Sequence, residues 1–235
     1  MEKQETVENE LKSLFEAGVH FGNLKSRRHP STTPFIFGVK NRTEIINLEA
    51  TQKHLQKASE FLFSLGQKKK QVLFVGGKHE ARHAISASAE KLGMPFVATR
   101  WLGGTLTNFS EIKKRVERLT MLREQKANGE LARKYTKREQ LLLDREIEEL
   151  GEHFSGLLLM KDMPAALVVV DPDYESIAVR EALQKKIPIV ALANSDCNLS
   201  TITYPVIGND ASRQSIALVL GYLVNAYQHG EKTPA

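Results

Sequence analysis

VLFVGGKHEARHAISASAEKLG, residues 72–93, joins a short apolar run to an amphipathic helical pattern. The run VLFV is continuous rather than alternating, which is typical of a parallel strand buried on both faces. After two glycines, apolar side chains recur at helical spacing: Ala81, Ala84, Ile85, Ala89 and Leu92. Gly93 then supplies a helix stop signal. The stretch therefore predicts one β–α unit of an α/β fold.

The same alternation continues along most of the chain. Four further apolar runs are bounded by glycine, proline or charge: PFVAT at 95–99, AALVVVD at 165–171, IPIVALAN at 187–194 and YPVIGN at 204–209. The helical pattern SIAVREALQKK is expected to turn four side chains inward: Ile177, Val179, Ala182 and Leu183. This alternation favours a right-handed, mostly parallel α/β sheet with helices on both sides.

Segments near both ends are expected to complete this domain. FIFGVKNRTEIIN, residues 35–47, resembles a small hairpin that turns at Asn41 and Arg42. The segment 50–66 predicts a helix with these residues inward: Leu55, Ala58, Leu62 and Leu65. SRQSIALVLGYLVNAYQ predicts an apolar helix that packs on the sheet, and the final HGEKTPA is expected to be disordered.

Residues 108–155 interrupt the strand and helix rhythm with two narrow apolar seams. The seams consist of Ile112, Val116, Leu119 and Leu122, and of Leu143, Ile147, Leu150 and Phe154. Such spacing predicts an antiparallel coiled-coil hairpin with KANGELARKYTK near its tip. We expect an arm projecting from a discontinuous α/β domain formed by residues 1–107 and 156–235; a helix pair lying flat on the sheet is the alternative.

Composition limits the class of protein. No apolar run approaches the roughly 20 residues of a membrane helix, and the polar start MEKQETVENELKSLF lacks an export signal core. Cys197 is the only cysteine, so neither an intrachain disulfide nor a cysteine-based zinc site is available. These features predict a cytoplasmic protein.

The charge distribution favours a polyanionic partner. The formal net charge is +5, and residues 51–104 contain 9 basic against 3 acidic side chains. Concentrated positive charge suits a nucleic acid, because each neutralised phosphate releases condensed counterions.

The sequence contains only weak candidates for catalysis. VGGKHE at 75–80 could cradle a phosphate between a strand and a helix, but neither GxGxxG nor a P-loop motif is present. Asp171 and Asp173 in VDPDYE suit a helix cap better than acid/base chemistry. The segment ANSDCN supplies Ser195, Asp196 and Cys197, but no histidine lies near it in sequence to activate a nucleophile.

Histidine-containing metal sites are also weakly indicated. His79 and His83 share a helix face without the glutamate of an HExxH motif. His20, Asp196 and Asp210 could meet at the strand ends as a divalent-cation site. We predict no catalytic residue, no cofactor and no metal.

Basic loops are the better candidates for function. LKSRRHP at 24–30 concentrates arginine and lysine in a short loop, and the predicted hairpin turn adds two more cations. The run QKKKQ at 67–71 is interpreted as a solubilising turn, with RNA contact as the alternative. The candidate RNA-binding residues are Lys25, Arg27, Arg28, His29, Lys40, Arg42, Lys78, Arg100, Trp101, Asn108, Lys113 and Lys114.

TRWLGGTLTNF, residues 99–109, mixes binding and structural signals. Gly103 and Gly104 permit a sharp turn into the insertion, and Thr107 or Asn108 can cap its first helix. Arg100 and Trp101 could bind phosphate and stack on a base, but the tryptophan could equally plug the base of the arm.

Six motifs together carry a family resemblance: EAGVHFG at 16–22, PFIFGVKN at 34–41, VLFVGGK at 72–78, RWLGGTLTNF at 100–109, VVDP at 169–172 and IGND at 207–210. In this order they resemble the second-numbered family of bacterial small-subunit ribosomal proteins, over about residues 10–228. The chain departs from the family pattern at Asn23, at CNLSTIT and at Ala211.

The resemblance implies a flavodoxin-like or Rossmann-like domain with a coiled-coil insertion and no catalytic activity. It implies binding to 16S-type ribosomal RNA, contact with neighbouring small-subunit proteins and docking of the mRNA-binding, first-numbered one. A cytoplasmic ribosomal location follows, with organellar origin left open. Two alternatives remain: an enzyme for a nucleotide or sugar phosphate, and a protein scaffold whose acidic C-terminal quarter receives that first-numbered protein.

Overall fold

Strands and helices alternate along the chain, and the computed structural model describes residues 2–233, with all their side chains except those of 2–7 and 132. The strands are β1 Phe21–Leu24, β2 Ile36–Lys40, β3 Thr43–Ile46, β4 Val72–Val75, β5 Phe96–Val97, β6 Ala166–Val170, β7 Ile189–Ala193 and β8 Tyr204–Ile207. The helices are α1 Glu2–Glu16, α2 Leu48–Gln67, α3 His79–Leu92, α4 Phe109–Ala127, α5 Glu130–Lys134, α6 Lys137–Phe154, α7 Ser176–Gln184 and α8 Arg213–Lys232.

The main sheet is parallel and has the order β5-β4-β6-β7-β8. Counted within this sheet, the order is 2-1-3-4-5, which is that of flavodoxin-like folds. The predicted α/β class is therefore confirmed. In such a sheet a ligand crevice is expected where the strand order reverses, at the carboxyl ends of β4 and β6.

Helices cover both faces of the main sheet. Val72 and Phe74 point toward a core formed with α2, α3 and α8, whereas Leu73 and Val75 point toward a second core that includes α7. Both cores consist of buried apolar side chains. Two-sided burial explains why the strands are continuous apolar runs.

The predicted hairpin is confirmed and belongs to a small antiparallel sheet with the order β1-β3-β2. Asn41 and Arg42 have φ values of 51° and 67°, the left-handed conformation that a tight two-residue hairpin turn requires at both central positions. Lys25 N–H donates to the Arg42 carbonyl at 3.0 Å, which holds the end of β1 against this turn.

The insertion contains α4 and α6, which pack through the predicted seam. Ile112, Leu119 and Leu122 of α4 share a buried cluster with Ile147 and Phe154 of α6. Arg118 Nε also donates to Glu146 Oε1 at 3.0 Å across the pair. A short helix, α5, occupies the connection. Supercoiling of the pair, and its separation as a domain of residues 108–155, stay predictions.

Two expectations are wrong, one about the buried face of α7 and one about disorder near the C-terminus. Ile177 and Leu183 are 49% and 43% exposed, because the buried face of α7 is centred on Ala178, Val179 and Ala182. The segment from His229 to Lys232 is not disordered but continues α8. Residues 234 and 235 lie outside the described part of the chain.

Two glycines set the close approach of α2 and α8. A Cβ on Gly66 would collide with the Tyr227 carbonyl oxygen, and one on Gly230 would collide with that of Phe63. Because each glycine meets backbone of the opposite helix, neither collision can be relieved by rotating a side chain.

Candidate nucleic-acid interface

The structure brings the two predicted basic loops together into one surface. Lys25 and Arg27 follow β1, Lys40 ends β2, Arg42 lies within the β2–β3 turn, and all four residues are exposed. The backbone bond between Lys25 and Arg42 joins the two segments directly. Among the side chains that the structure describes, none of the four takes part in an ion pair. We call Lys25, Arg27, Lys40 and Arg42 the basic patch.

Buried backbone contacts fix the loop that carries this patch. The Ser195 carbonyl, at the end of β7, accepts bonds from His29 N–H at 2.9 Å and Thr32 Oγ1 at 2.8 Å. Ser195 Oγ accepts from Asn23 N–H at 3.0 Å. The ANSDCN segment therefore anchors the basic loop, and Ser195, which is fully buried, is not positioned as a nucleophile.

Two candidates in the same loop have structural partners. Arg28 Nη1 lies 3.4 Å from Glu44 Oε1, an ion pair without hydrogen-bond geometry, and the Glu44 side chain is fully buried. His29 Nδ1 accepts from Ser31 N–H at 3.2 Å and caps a short 3-10 helix. The roles of Arg28 and His29 thus include holding the loop in shape.

Lys78 does not offer a free cation to a phosphate, contrary to the sequence-based expectation. Its Nζ lies 3.0 Å from Asp171 Oδ2 and 3.2 Å from Asp210 Oδ2. Asp210 also accepts from Asn194 Nδ2 at 2.8 Å. Burial and the nearby Asp171 carboxylate raise the pKa of Asp210 to about 6. The lysine thus pairs with the buried Asp210 and the partly buried Asp171 rather than facing outward.

The predicted phosphate cradle is occupied by the chain itself. Gly77 N–H donates to Glu175 Oε1 at 2.7 Å, and Glu175 is 3% exposed. Burial raises the pKa of this carboxyl, with the Gly77 bond opposing the change. A carboxylate thus stands where an anionic ligand would bind. The crevice at the carboxyl ends of β4 and β6, which we call the strand-order crevice, is therefore unsuitable for a nucleotide phosphate.

Trp101 is a structural residue, so the prediction that it stacks on RNA is wrong. The side chain is 4% exposed, and its indole N–H donates to Glu181 Oε1 at 3.2 Å. Glu181 was missed by sequence reasoning. Its carboxylate also accepts from Gly104 N–H at 2.7 Å, Leu106 N–H at 2.9 Å and Thr107 N–H at 3.0 Å. One buried acid therefore organises the whole RWLGGTLTNF turn.

The other candidates lie apart from the basic patch. Arg100 is exposed after β5, at the same carboxyl edge of the main sheet but several strands from the patch. Asn108 occupies the N-cap position of α4 without a side-chain capping bond. Lys113 and Lys114 are exposed on α4, where Lys114 Nζ lies 2.7 Å from Glu111 Oε1.

The hypothetical cation site is not assembled. His20 stacks on Phe15 with ring centroids 4.5 Å apart, whereas Asp210 faces Lys78 and Asn194. Among the side chains described within residues 2–233, no group of three or more histidine, cysteine, aspartate or glutamate residues could hold a metal ion. No helix over the same range is long and apolar enough to span a bilayer.

Comparison with known proteins settles the family. The family model for ribosomal protein S2 matches residues 14–230. The chain belongs to the ribosomal protein S2 family. As an S2-family member it is a structural, non-enzymatic constituent of the small ribosomal subunit, located in the cytoplasm.

Individual relatives agree with the family match. The small ribosomal subunit protein uS2 of Thermus thermophilus is 41% identical over 219 residues, which cover 93% of this chain and 85% of that protein. The uS2 protein of Mesoplasma florum is 38% identical over 230 residues, covering 98% and 85%. The uS2 protein of Roseiflexus is 39% identical over 221 residues, covering 94% and 84%.

S2-family membership agrees with the contents of the strand-order crevice. The fold has the outline of a nucleotide-binding sheet, but Glu175 and the Lys78–Asp171–Asp210 cluster fill the position of the ligand. Fold alone does not determine function, and here the side chains at the crevice decide against a nucleotide-dependent enzyme.

Proposed function

We propose that this S2-family protein binds 16S-type ribosomal RNA through the basic patch. The observation that carries the proposal is the clustering of four exposed cations from two loops, without ion-pair partners among the described side chains. Folded RNA is recognised largely through phosphates, sugars and shape, so a pre-formed set of cations suits it better than a base-reading motif.

Fixed loops favour this role. The Ser195 carbonyl and the Arg42 carbonyl hold the backbone of the patch, so little ordering entropy is lost on binding. Arg100 lies at the same carboxyl edge of the sheet, several strands from the patch, and supplies a separate exposed cation. The helical insertion is proposed to reach across the body of the subunit.

Charge removal at the patch should weaken RNA binding and flatten its salt dependence. The slope of log affinity against log salt is negative, and its magnitude should decrease by roughly 2–3 in the triple variant Lys25→Gln, Arg27→Gln and Lys40→Gln. Each lost phosphate contact removes about 0.7–0.9 from that magnitude. Filter binding of a 16S ribosomal RNA transcript between 50 and 300 mM KCl measures this slope.

A charge-matched control uses exposed lysines at the opposite edge of the main sheet. Lys68→Gln, Lys70→Gln and Lys185→Gln change the net charge by the same amount outside the patch. The control should keep the wild-type slope. Equal slopes in the wild type and the patch variant would refute the phosphate-contact account.

We further propose that the mRNA-binding, first-numbered protein docks in a cleft between α1 and the small sheet. The cleft has a volume of about 500 Å³, and Phe15 and Phe37 in its lining are 60% and 80% exposed. Exposed aromatic rings around an apolar cleft are typical of protein contact sites. We favour this cleft over the acidic C-terminal quarter because it supplies exposed apolar surface.

Substitution of the two rings should release this partner without removing the S2-family protein from the subunit. In small subunits carrying Phe15→Ser with Phe37→Ser, the first-numbered protein should fall at least about fivefold by quantitative mass spectrometry, since buried aromatic anchors dominate protein interfaces. Leu142→Ser, at a 57% exposed position on α6, is the control. Unchanged partner content in the double variant would move the docking site elsewhere.

A further inference from the structure

A narrow cleft opens beside the RWLGGTLTNF turn, at the carboxyl ends of β5 and β6. Its volume is about 260 Å³, and it is lined by Arg100, Trp101, Tyr174, Glu175 and Ile177. This is slightly below the range of about 300–1,000 Å³ that is usual for small-molecule pockets, so it suits one ring system rather than a whole cofactor. We propose that this cleft binds a single unstacked nucleobase with an exocyclic amine, from the RNA partner of the proposed function.

Tyr174 provides the stacking surface that Trp101 cannot. The Tyr174 side chain is 61% exposed, and that of Ile177 next to it is 49% exposed. Tyr174 N–H donates to Asp171 Oδ1 at 3.0 Å, which fixes the backbone from which the phenol ring extends. An exposed aromatic ring held on a fixed turn is a suitable platform for a base, because every base has an apolar face.

Glu175 provides a hydrogen-bond acceptor in the same cleft. The Gly77 N–H occupies Oε1, and none of the donors that the structure describes bonds to Oε2. A carboxylate oxygen can accept from the amino group of cytosine, and it repels the O4 carbonyl that uracil presents at the same position. The cleft should therefore prefer cytosine to uracil.

Arg100 provides a cation beside the ring. It is exposed and forms neither an ion pair nor a hydrogen bond within the described part of the chain. A guanidinium group at the mouth of the cleft can hold the phosphate of the bound nucleotide. The arginine, the ring and the acceptor thus correspond to the three parts of a nucleotide contact: phosphate, base face and base edge.

Fluorescently labelled oligocytidine and oligouridine decamers test the proposal, because they match in length, charge and ring size. Fluorescence anisotropy with the full-length protein should give at least about fivefold tighter binding of the cytidine decamer, as expected of a base-edge contact. Glu175→Gln keeps an oxygen for Gly77 but turns an amide N–H₂ into the cleft, so this variant should lose or reverse the preference. Circular dichroism checks that it folds.

Tyr174→Ala carries the test independently of Glu175, since an exposed side chain can be removed without unfolding the protein. It should weaken binding of the cytidine decamer about fivefold or more, whereas Tyr174→Phe should retain it. Tyr135→Ala, at a 41% exposed tyrosine in the helical insertion, is the control.

The outcomes separate this inference from the proposed function. Equal affinity of the wild type for the two decamers, or unchanged binding by Tyr174→Ala, would overturn the nucleobase site. If that happens while the basic-patch variant still loses salt-dependent binding of the ribosomal RNA transcript, the proposed function stands and only the cleft assignment fails.

Discussion

Replacing Glu181 by glutamine should lower the free energy of unfolding by about 3 kcal/mol, because it leaves buried donors without acceptors. In the wild type, Oε1 accepts from the Trp101 indole and Gly104 N–H, while Oε2 accepts from Leu106 N–H, Thr107 N–H and Thr107 Oγ1. A glutamine has one oxygen, so either orientation of its amide places an N–H₂ group against two or three other donors.

Urea unfolding followed by circular dichroism measures this loss. Glu148→Gln removes the same charge from an exposed position on α6 and should change stability by less than about 0.5 kcal/mol. If Glu181→Gln proves as mild as this control, the carboxylate does not organise the turn.

The same carboxylate should give a distinctive pH dependence. Burial raises its pKa, but the hydrogen bonds from Gly104, Leu106, Thr107 and Trp101 outweigh burial and hold the pKa below the ordinary glutamate value. A carboxyl with a lowered pKa stabilises the fold above its unfolded pKa, and this contribution is lost as pH falls through its folded pKa. The stability difference between the wild type and Glu181→Gln should therefore be constant near neutral pH and shrink below about pH 4.5.

Replacing Gly230 by alanine should destabilise the protein by about 3 kcal/mol, since the new methyl group would meet the Phe63 backbone oxygen of α2. Gly221 lies on the same helix, where an added Cβ meets nothing within 4 Å. Gly221→Ala should stabilise the protein by about 0.5–1 kcal/mol through helix propensity alone.

The two alanine substitutions should therefore change the free energy of unfolding in opposite directions. Comparing them separates the effect of helix packing from that of helix propensity. Urea titration of both proteins in one buffer supplies the measurement. A Gly230→Ala protein at least as stable as the wild type would mean that α2 and α8 can separate at no cost, contrary to the close packing described above.

The fold was predictable because its signals are local. The residues that form each apolar run, the Asn41–Arg42 turn and each seam are close together in sequence. Local pattern and periodicity are therefore sufficient to recognise these features. The exposure of Ile177 and Leu183 was missed because a nine-residue helix with apolar residues on most sides does not determine its own rotation. No local pattern explains Gly230, because the contact that requires a glycine there is with the Phe63 backbone of α2.

The candidate site was less predictable, because its decisive contacts are distant in sequence. The basic loops could be found as clusters of arginine and lysine. The neutralisation of Lys78 depends on acids 93 and 132 residues away, and the burial of Trp101 depends on an acid 80 residues away. A glutamate within an amphipathic helix gives no sign that five donors converge on it.

The hydrogen bonds between Glu181 and the turn also constrain the order in which the chain can fold during its synthesis. Thr107 and Glu181 are 74 residues apart, with the whole helical insertion between them. At a typical synthesis rate of about 5–20 residues per second, several seconds pass between the emergence of the turn and the arrival of its acceptor. During that interval the turn cannot complete its native hydrogen bonds, so the base of the insertion becomes fixed only after the insertion itself and α7 have been synthesised.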